Sequence, residues 1–366
     1  MIIRNVVSAI FFCNVLIAQS IPPPTIEYSP KKYICYRANE PLTVDGKLQE
    51  SSWAKTEWSD DFIDIEGAQK PSPRFRTRVK MLWDEKYFYI AAELQEPHIW
   101  GTLKNRDDII FYDNDFEIFI DPDGDTKDYC EFEMNALNTV WDLLLEMPYR
   151  DIEKANKHAW DIKGLNSGVA VYGSLNTSGD NDSCWTVEVA FPWDGFKEIT
   201  DAATPPNDKD QWRINFSRVE WKTEVVKGQY QKQINPVTNK PYPEDNWVWS
   251  PQGVVNMHYP EMWGYVQFSK ELAGSPTVSF LAQNVENVKW SLRQIYYGQR
   301  RYFEKFKTFT NDLKKLGVSI KPVPGYREQP VIEKTTNLFE AYFLTSDSTQ
   351  KIHIRQDGFL WISSVK

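Results

Sequence analysis

The stretch Asp113–Asn135, DNDFEIFIDPDGDTKDYCEFEMN, decides how this chain folds. On either side of its polar middle, residues alternate with the period of two that a β-strand imposes. Phe116, Ile118 and Ile120 share one face, and Glu117, Phe119 and Asp121 the other. On the returning strand Cys130, Phe132 and Met134 face together, opposed by Tyr129, Glu131, Glu133 and Asn135. A turn centred on Asp125 pairs Glu117 with Glu133 and Phe119 with Glu131. Directly opposed carboxylates, with Cβ atoms about 5 Å apart, repel. A cation, a guanidinium, a shared proton or a ligand is therefore expected between them. The pairing depends on turn length, because a one-residue slip exchanges the two faces.

Similar alternation runs outward. RTRVKMLWDEKYFYIAAEL reads as a hairpin turning at Asp84–Lys86, and TVWDLLLEM, GVAVYGSL, WTVEVAFP, WRINFSRVEW, NWVWS and GYVQFS read as further strands. Short strands with no helical period between them predict a mainly β fold, an antiparallel, jelly-roll-like β-sandwich over residues 35–272. Trp83, Trp185, Trp212 and Trp249 sit within strand patterns and are expected in its core. Beyond it the period changes. Val285, Val288, Leu292, Ile295, Tyr302, Phe306 and Phe309 keep three-and-four spacing, interrupted by Gln299, which predicts a long amphipathic helix breaking near Thr308–Thr310. NDLKKL adds a short helical turn stopped by Gly317, and LFEAYFL and GFLWISS read as strands. Residues 273–366 are thus expected to form a helical, α+β appendage, packed on the sandwich or offered to a protein partner.

Residues 1–20, MIIRNVVSAIFFCNVLIAQS, have the charged start, short apolar run and small residues of a secretory signal, and Pro-rich residues 21–34 follow as an extended lead-in. The apolar run is too short for a transmembrane span, so a secreted, periplasmic or cell-surface protein is expected. Of the cysteines, Cys35, Cys130 and Cys184 would remain, enough for one bridge at most, and burial of all three is expected. The net charge of −9 argues against a nucleic-acid binder and against anionic membrane surfaces. Aromatics at 14% suit both β-cores and stacking on sugar rings.

The acidic pair also fits the acid and nucleophile of a retaining glycosidase, whose carboxyls stand about 5–5.5 Å apart. No nucleophile elbow or phosphate loop is present. DPDGD offers Asp121, Asp123 and Asp125 in the manner of an EF-hand, but its sixth position is Thr126 and its twelfth Phe132. A looser calcium site and a plain polar turn both remain open.

VDGKLQESSW (Val44–Trp53), VKMLWDEKYFYIAAEL, DFEIFID, FEMNALNT, WTVEVAFPW, WRINFSRVEW and WSPQGVVNMHYPEMWGYVQF, in that order, resemble family 9 carbohydrate-binding modules. The resemblance spans roughly residues 35–269. It implies a β-sandwich with structural calcium that holds sugar chain ends between two aromatic rings. The first ring falls at Phe111 and Tyr112, and the acidic sugar contact at Glu117. Glu133 stands where a basic contact is expected, and Met257, flanked by His258 and Tyr259, where the second ring is expected. The resulting expectation is a secreted, non-catalytic protein that binds oligo- or polysaccharide. Glu117, Glu133, Asn135 and Arg218 form its polar floor, with Arg218 able to bridge the two glutamates. Phe111, Tyr112, Tyr259 and Trp263 form the rim. The alternatives are an envelope structural or assembly protein without a sugar site, and a glycoside hydrolase using Glu117 and Glu133.

Overall fold

In the computed structural model, which describes residues 21–151, 156–157 and 159–365, the alternating segments become strands β1 (Lys32–Arg37), β2 (Thr77–Trp83), β3 (Tyr87–Gln95), β4 (Asp115–Asp121), β5 (Tyr129–Asn135), β6 (Val140–Leu145), β7 (Asn166–Tyr172), β8 (Cys184–Pro192), β9 (Gln211–Glu220), β10 (Asp245–Val248) and β11 (Gly264–Leu272). The signal sequence expected over residues 1–20 lies outside the described residues. With the two-residue strands Ile63–Asp64 and Asn156–Lys157, these segments form one sheet of thirteen strands. Its main path runs β6–β5–β4–β9–β11–β1–β2–β3–β8–β7, and β10 joins β9 from the side.

Residues from both ends of this path meet in a single core. Phe132 of β5, Phe116 of β4, Trp212 of β9, Phe268 of β11, Phe88 of β3 and Phe191 of β8 belong to one buried cluster. The sheet therefore curls so that one face closes on itself. The mainly β expectation holds, and the hydrogen-bonded path is one curled sheet rather than two separate ones. Nor is it wholly antiparallel, for β1 runs parallel to both β11 and β2. Those neighbours lie far enough along the chain for crossover connections to reach them. Trp83, Trp185, Trp212 and Trp249 are all buried in this core. Cys35 and Cys130 are buried and unbridged, whereas Cys184, also unbridged, is only partly covered.

β4 and β5 pair in the register the sequence predicts, Glu117 opposite Glu133 and Phe119 opposite Glu131. On the other flank of β4, Glu117 lies opposite Ser217 of β9. Arg218, one residue on, therefore points to the opposite face and does not bridge the two glutamates. Its buried guanidinium donates from Nη2 to Glu96 Oε2 and Glu220 Oε2, both at 2.8 Å. Nη1 reaches Thr77 Oγ1 at 3.1 Å and the Gln95 carbonyl at 2.8 Å.

The C-terminal region consists of helix α1 (Asn284–Phe306), the short helix α2 (Leu313–Leu316) and a four-stranded antiparallel sheet. Its strands are β12 (Val331–Lys334), β13 (Phe339–Leu344), β14 (Gln350–Arg355) and β15 (Leu360–Ser364). The sequence shows β13 and β15 plainly, while β12 and β14 carry too many charges for alternation to stand out. Gln299, the polar interruption of the helical stripe, is buried and closes the chain reversal by bonding both the carbonyl and the N–H of Thr310. Gly317 stops α2 in the left-handed conformation, at φ 68°.

The apolar stripe of α1 is covered within the chain. Val288, Leu292 and Ile295 pack with Phe343 and Ile352 of the small sheet and with Tyr259 and Met262 before β11. Buried charges bind the same seam. Glu261 accepts from Arg150 Nη2 at 2.9 Å and from the Tyr297 hydroxyl, and Glu286 accepts from Arg213 Nη2 at 3.1 Å. Burial works against both carboxylates. Arg150 and Arg293 around Glu261, and Lys289 and Arg213 around Glu286, outweigh it and hold each at about 2, below the ordinary 4.5.

Two outcomes follow for stability. Replacing Arg218 by Met removes the principal counter-ion of two buried glutamates and should lower unfolding free energy by about 3–5 kcal/mol, read from denaturant midpoints. The seam carboxylates contribute stability that is complete above about pH 4.5 and drains as pH falls towards about 2. Amide protection factors in α1 should therefore drop over that range before those of the β2–β3 hairpin. Equal loss in both would show that the seam charges do not secure the helix.

Candidate functional site

Strand alternation gives the sheet a second, polar-lined face beside the core. Glu117 and Phe119 of β4, Glu131 and Glu133 of β5, Trp141 of β6 and Val219 of β9 project to it, as their register requires. Together with Phe111, Tyr149, Glu244, Asn246, Met257 and His258 they line a cavity of about 210 Å³. A larger one, about 710 Å³, lies between the Pro-rich lead-in, α1 and residues 317–324. Of its three large rings, Tyr28 and Trp290 are stacked on each other at 4.5 Å and Tyr297 is buried with its hydroxyl on Glu261, and it contains no acidic pair. The smaller cavity has the chemistry.

Glu117, Glu131 and Glu133 are almost wholly buried at its floor, and Asp115, fully buried, lies on the same strand face. Burial first, then mutual repulsion, pushes Asp115, Glu131 and Glu133 well above the ordinary carboxylate range. Glu117 rises to about 7, again chiefly by burial. The Phe111 N–H donates to Glu133 Oε2 at 3.2 Å. The expected counterweight by Arg218 is absent from this face, and no lysine or arginine lines the cavity among the described residues.

Besides His258, four aromatic rings line the cavity: Phe111 before β4, Phe119 on β4, Trp141 on β6 and Tyr149 after β6. Tyr112 lies beside Phe111, ring centres 4.8 Å apart, and is 52% exposed. Met257 occupies the wall as the sequence places it, and His258 beside it carries the edge of Tyr149 at 4.5 Å. His258 Nδ1 shares a hydrogen bond with the Tyr129 hydroxyl at 3.0 Å. Burial, then Arg150, lowers the imidazole to about 3, so it stays neutral at physiological pH.

Besides Arg218 and Tyr112, three expected residues do not line the cavity. Asn135 lies at the end of β5, where its side chain organises the following turn. Its Nδ2 donates to Asp113 Oδ2 at 3.0 Å and to the Leu103 carbonyl at 2.9 Å, and its Oδ1 accepts from the Leu137 and Thr139 N–H groups. Tyr259 faces α1, its hydroxyl bonded to the Pro22 carbonyl and its ring under the Arg150 guanidinium. Trp263 is fully buried against Phe119 and Tyr129. Trp141 was within reach of the sequence, for it pairs directly with Glu133. Tyr149 sits in a loop whose path no periodicity reveals.

At the β4–β5 turn, Asp121, Asp123 and Asp125 bring one oxygen each within 4.8 Å of one another. The oxygens of Asp121 accept from the Gly124 and Thr126 N–H groups, and Lys289 Nζ reaches the Gly124 carbonyl at 3.3 Å. The donor set suits a hard cation such as calcium, with the lysine ammonium as a competitor for the same charge.

No curated protein matches the chain. Among solved structures, a candidate carbohydrate-binding protein from Bacteroides uniformis ATCC 8492 is similar at 14% identity and TM-score 0.48, covering 66% of this chain and 100% of its own. A family 9 carbohydrate-binding module from Caldicellulosiruptor kristjanssonii in complex with cellotriose is similar at 15% identity and TM-score 0.42, covering 69% of this chain and 100% of its own. The same organism's family 9 module in complex with glucose gives 15% and 0.39, covering 67% and 99%. The family described as carbohydrate family 9 binding domain-like matches residues 44–267, more than half of the sequence. The chain belongs to that family.

Proposed function

We propose that this protein is a secreted, non-catalytic carbohydrate-binding protein of polysaccharide utilisation, and that the cavity between β4, β5 and β6 holds the end of a sugar chain. The observation that carries the reading is the cross-strand Glu117–Glu133 pair set at the floor of a cavity lined by Phe111, Trp141 and Tyr149. Pyranose rings present apolar C–H faces to aromatic rings, while carboxyl groups accept from their hydroxyls. A volume of about 210 Å³ suits one terminal sugar unit rather than a threaded chain. Membership of the family supports the same ligand class.

The carboxyls also bear on catalysis. A retaining glycosidase keeps one carboxylate ionised as nucleophile beside one protonated acid. Here burial raises Glu117 to about 7 and lifts Glu133 well above the ordinary carboxylate range, which favours a binding role over a nucleophilic one. A docking role for α1 has less support, because its apolar stripe is already covered by β13, β14 and the segment before β11. Among the described residues no helix is long and apolar enough to cross a membrane.

Isothermal titration with a broad oligosaccharide panel should reveal a binding sugar. Glu117→Ala and Trp141→Ala should each weaken it at least tenfold, about 1.4 kcal/mol or more. Arg218→Lys should leave affinity nearly unchanged. A panel that gives no heat would sink the carbohydrate reading, and release of reducing ends that vanishes on Glu117→Gln would replace it with a hydrolase.

A further inference from the structure

The floor of the cleft holds more buried carboxyl groups than sugar hydroxyls require. Asp115, Glu117 and Glu133 are all at most 5% exposed, and one carboxylate oxygen of each lies within 4.8 Å of the others. Asp115 Oδ1 accepts from the Val219 N–H at 3.1 Å, but Oδ2 is buried with no hydrogen-bond partner among the described residues. Two other acidic groups have cations beside them. Arg106 reaches Asp142 and Asp161, and Lys289 stands beside the Asp121–Asp125 turn. Among the described residues, the charged groups acting on Asp115, Glu117 and Glu133 from outside the trio are further acids, Asp113, Glu131 and Glu244. The arginine that the sequence offered as its counterweight, Arg218, is fixed on the other face by Glu96 and Glu220.

We propose that Asp115, Glu117 and Glu133 hold a divalent cation of calcium size at the floor of the cleft, and that the exposed side of the ion takes hydroxyl oxygens of the sugar. The second half rests on the reading of the cleft as a sugar site; the first does not. Oxygen-only ligands select a hard cation. Ca²⁺ binds oxygens at about 2.3–2.6 Å, so ligands across the ion stand up to about 5 Å apart, which the 4.8 Å spread accommodates. Mg²⁺, at about 2.0–2.1 Å, draws its ligands closer and keeps more water. The unpartnered Asp115 oxygen gains a ligand bond, and the repulsion across the β4–β5 pair is cancelled by the ion. Three protein carboxylates leave several of the 6–8 positions that calcium fills, about half of them open to water or to vicinal sugar hydroxyls.

The test uses the full chain freed of metal with a chelator. Calorimetry with CaCl₂ alone should show binding that Asp115→Asn and Glu117→Gln each weaken at least tenfold. With TbCl₃, emission excited through tryptophan should appear and fall severalfold on Trp141→Phe, a change that leaves every carboxylate in place. That readout keeps the proposal testable should either carboxyl variant fail to fold, which thermal melts will show. No calcium heat and no terbium emission would overturn the cation while leaving the sugar reading intact. Binding that only the Asp123→Asn, Asp125→Asn double variant removes would place the ion in the turn and overturn it equally. Oligosaccharide titrations with and without CaCl₂ address the second half. At least tenfold tighter binding with calcium supports it, and equal affinity or no sugar binding by the calcium-loaded protein overturns it.

Discussion

The pairing of Glu117 with Glu133 across β4 and β5 is the constraint around which the rest of this protein is arranged. Two like charges face each other there, and the strands could escape only by slipping one residue. A slip would turn Phe116, Ile118, Ile120, Phe132 and Met134 out of the core. At about 1.5–3 kcal/mol for each buried side chain, those five residues are worth about 7–15 kcal/mol. Repulsion between two full charges at 4 Å is about 4 kcal/mol at the effective dielectric of partly buried sites. The core wins, and the acidic face is held in place by the apolar one behind it.

That ordering explains why the floor of the cleft is both polar and buried. The carboxyls cannot turn to solvent because Phe119, Met257 and Trp263 form a second apolar layer on their side of the sheet. Charge without a guanidinium must then be met by protons, by an ion or by a ligand. A surface acidic pair would simply be solvated. This one stores an unfavourable interaction that binding can relieve, which is what a recognition site needs.

How much of this could be read from the residues differs by element. The β4–β5 register, the core tryptophans and the extent of α1 follow from periodicity, since each spans enough residues for one face to dominate. Arg218 misled because choosing it required knowing the parity of β9 against β4, and Ser217 rather than Arg218 lies opposite Glu117. Asn135 was placed by alternation and Tyr259 by resemblance, at positions where this chain uses their polar atoms for its own turns and seam. Trp141 needed the register carried one strand further, through the Ala136–Thr139 turn. Tyr149 and Glu244 come from loops, where neither alternation nor spacing predicts which side chains converge.

The C-terminal region enters the same argument through Arg150. This residue follows Tyr149, a wall of the cleft, and its guanidinium donates to the His258 carbonyl at 3.1 Å and to Glu261 at 2.9 Å. Glu261 in turn accepts from Tyr297 of α1. A continuous run of buried polar contacts thus leads from the helix to Tyr149 and His258, whose rings meet edge to face at the cavity. The helix therefore does more than cover apolar surface. It fixes Arg150, and with it the neighbouring Tyr149 wall for which the sheet alone supplies no strand.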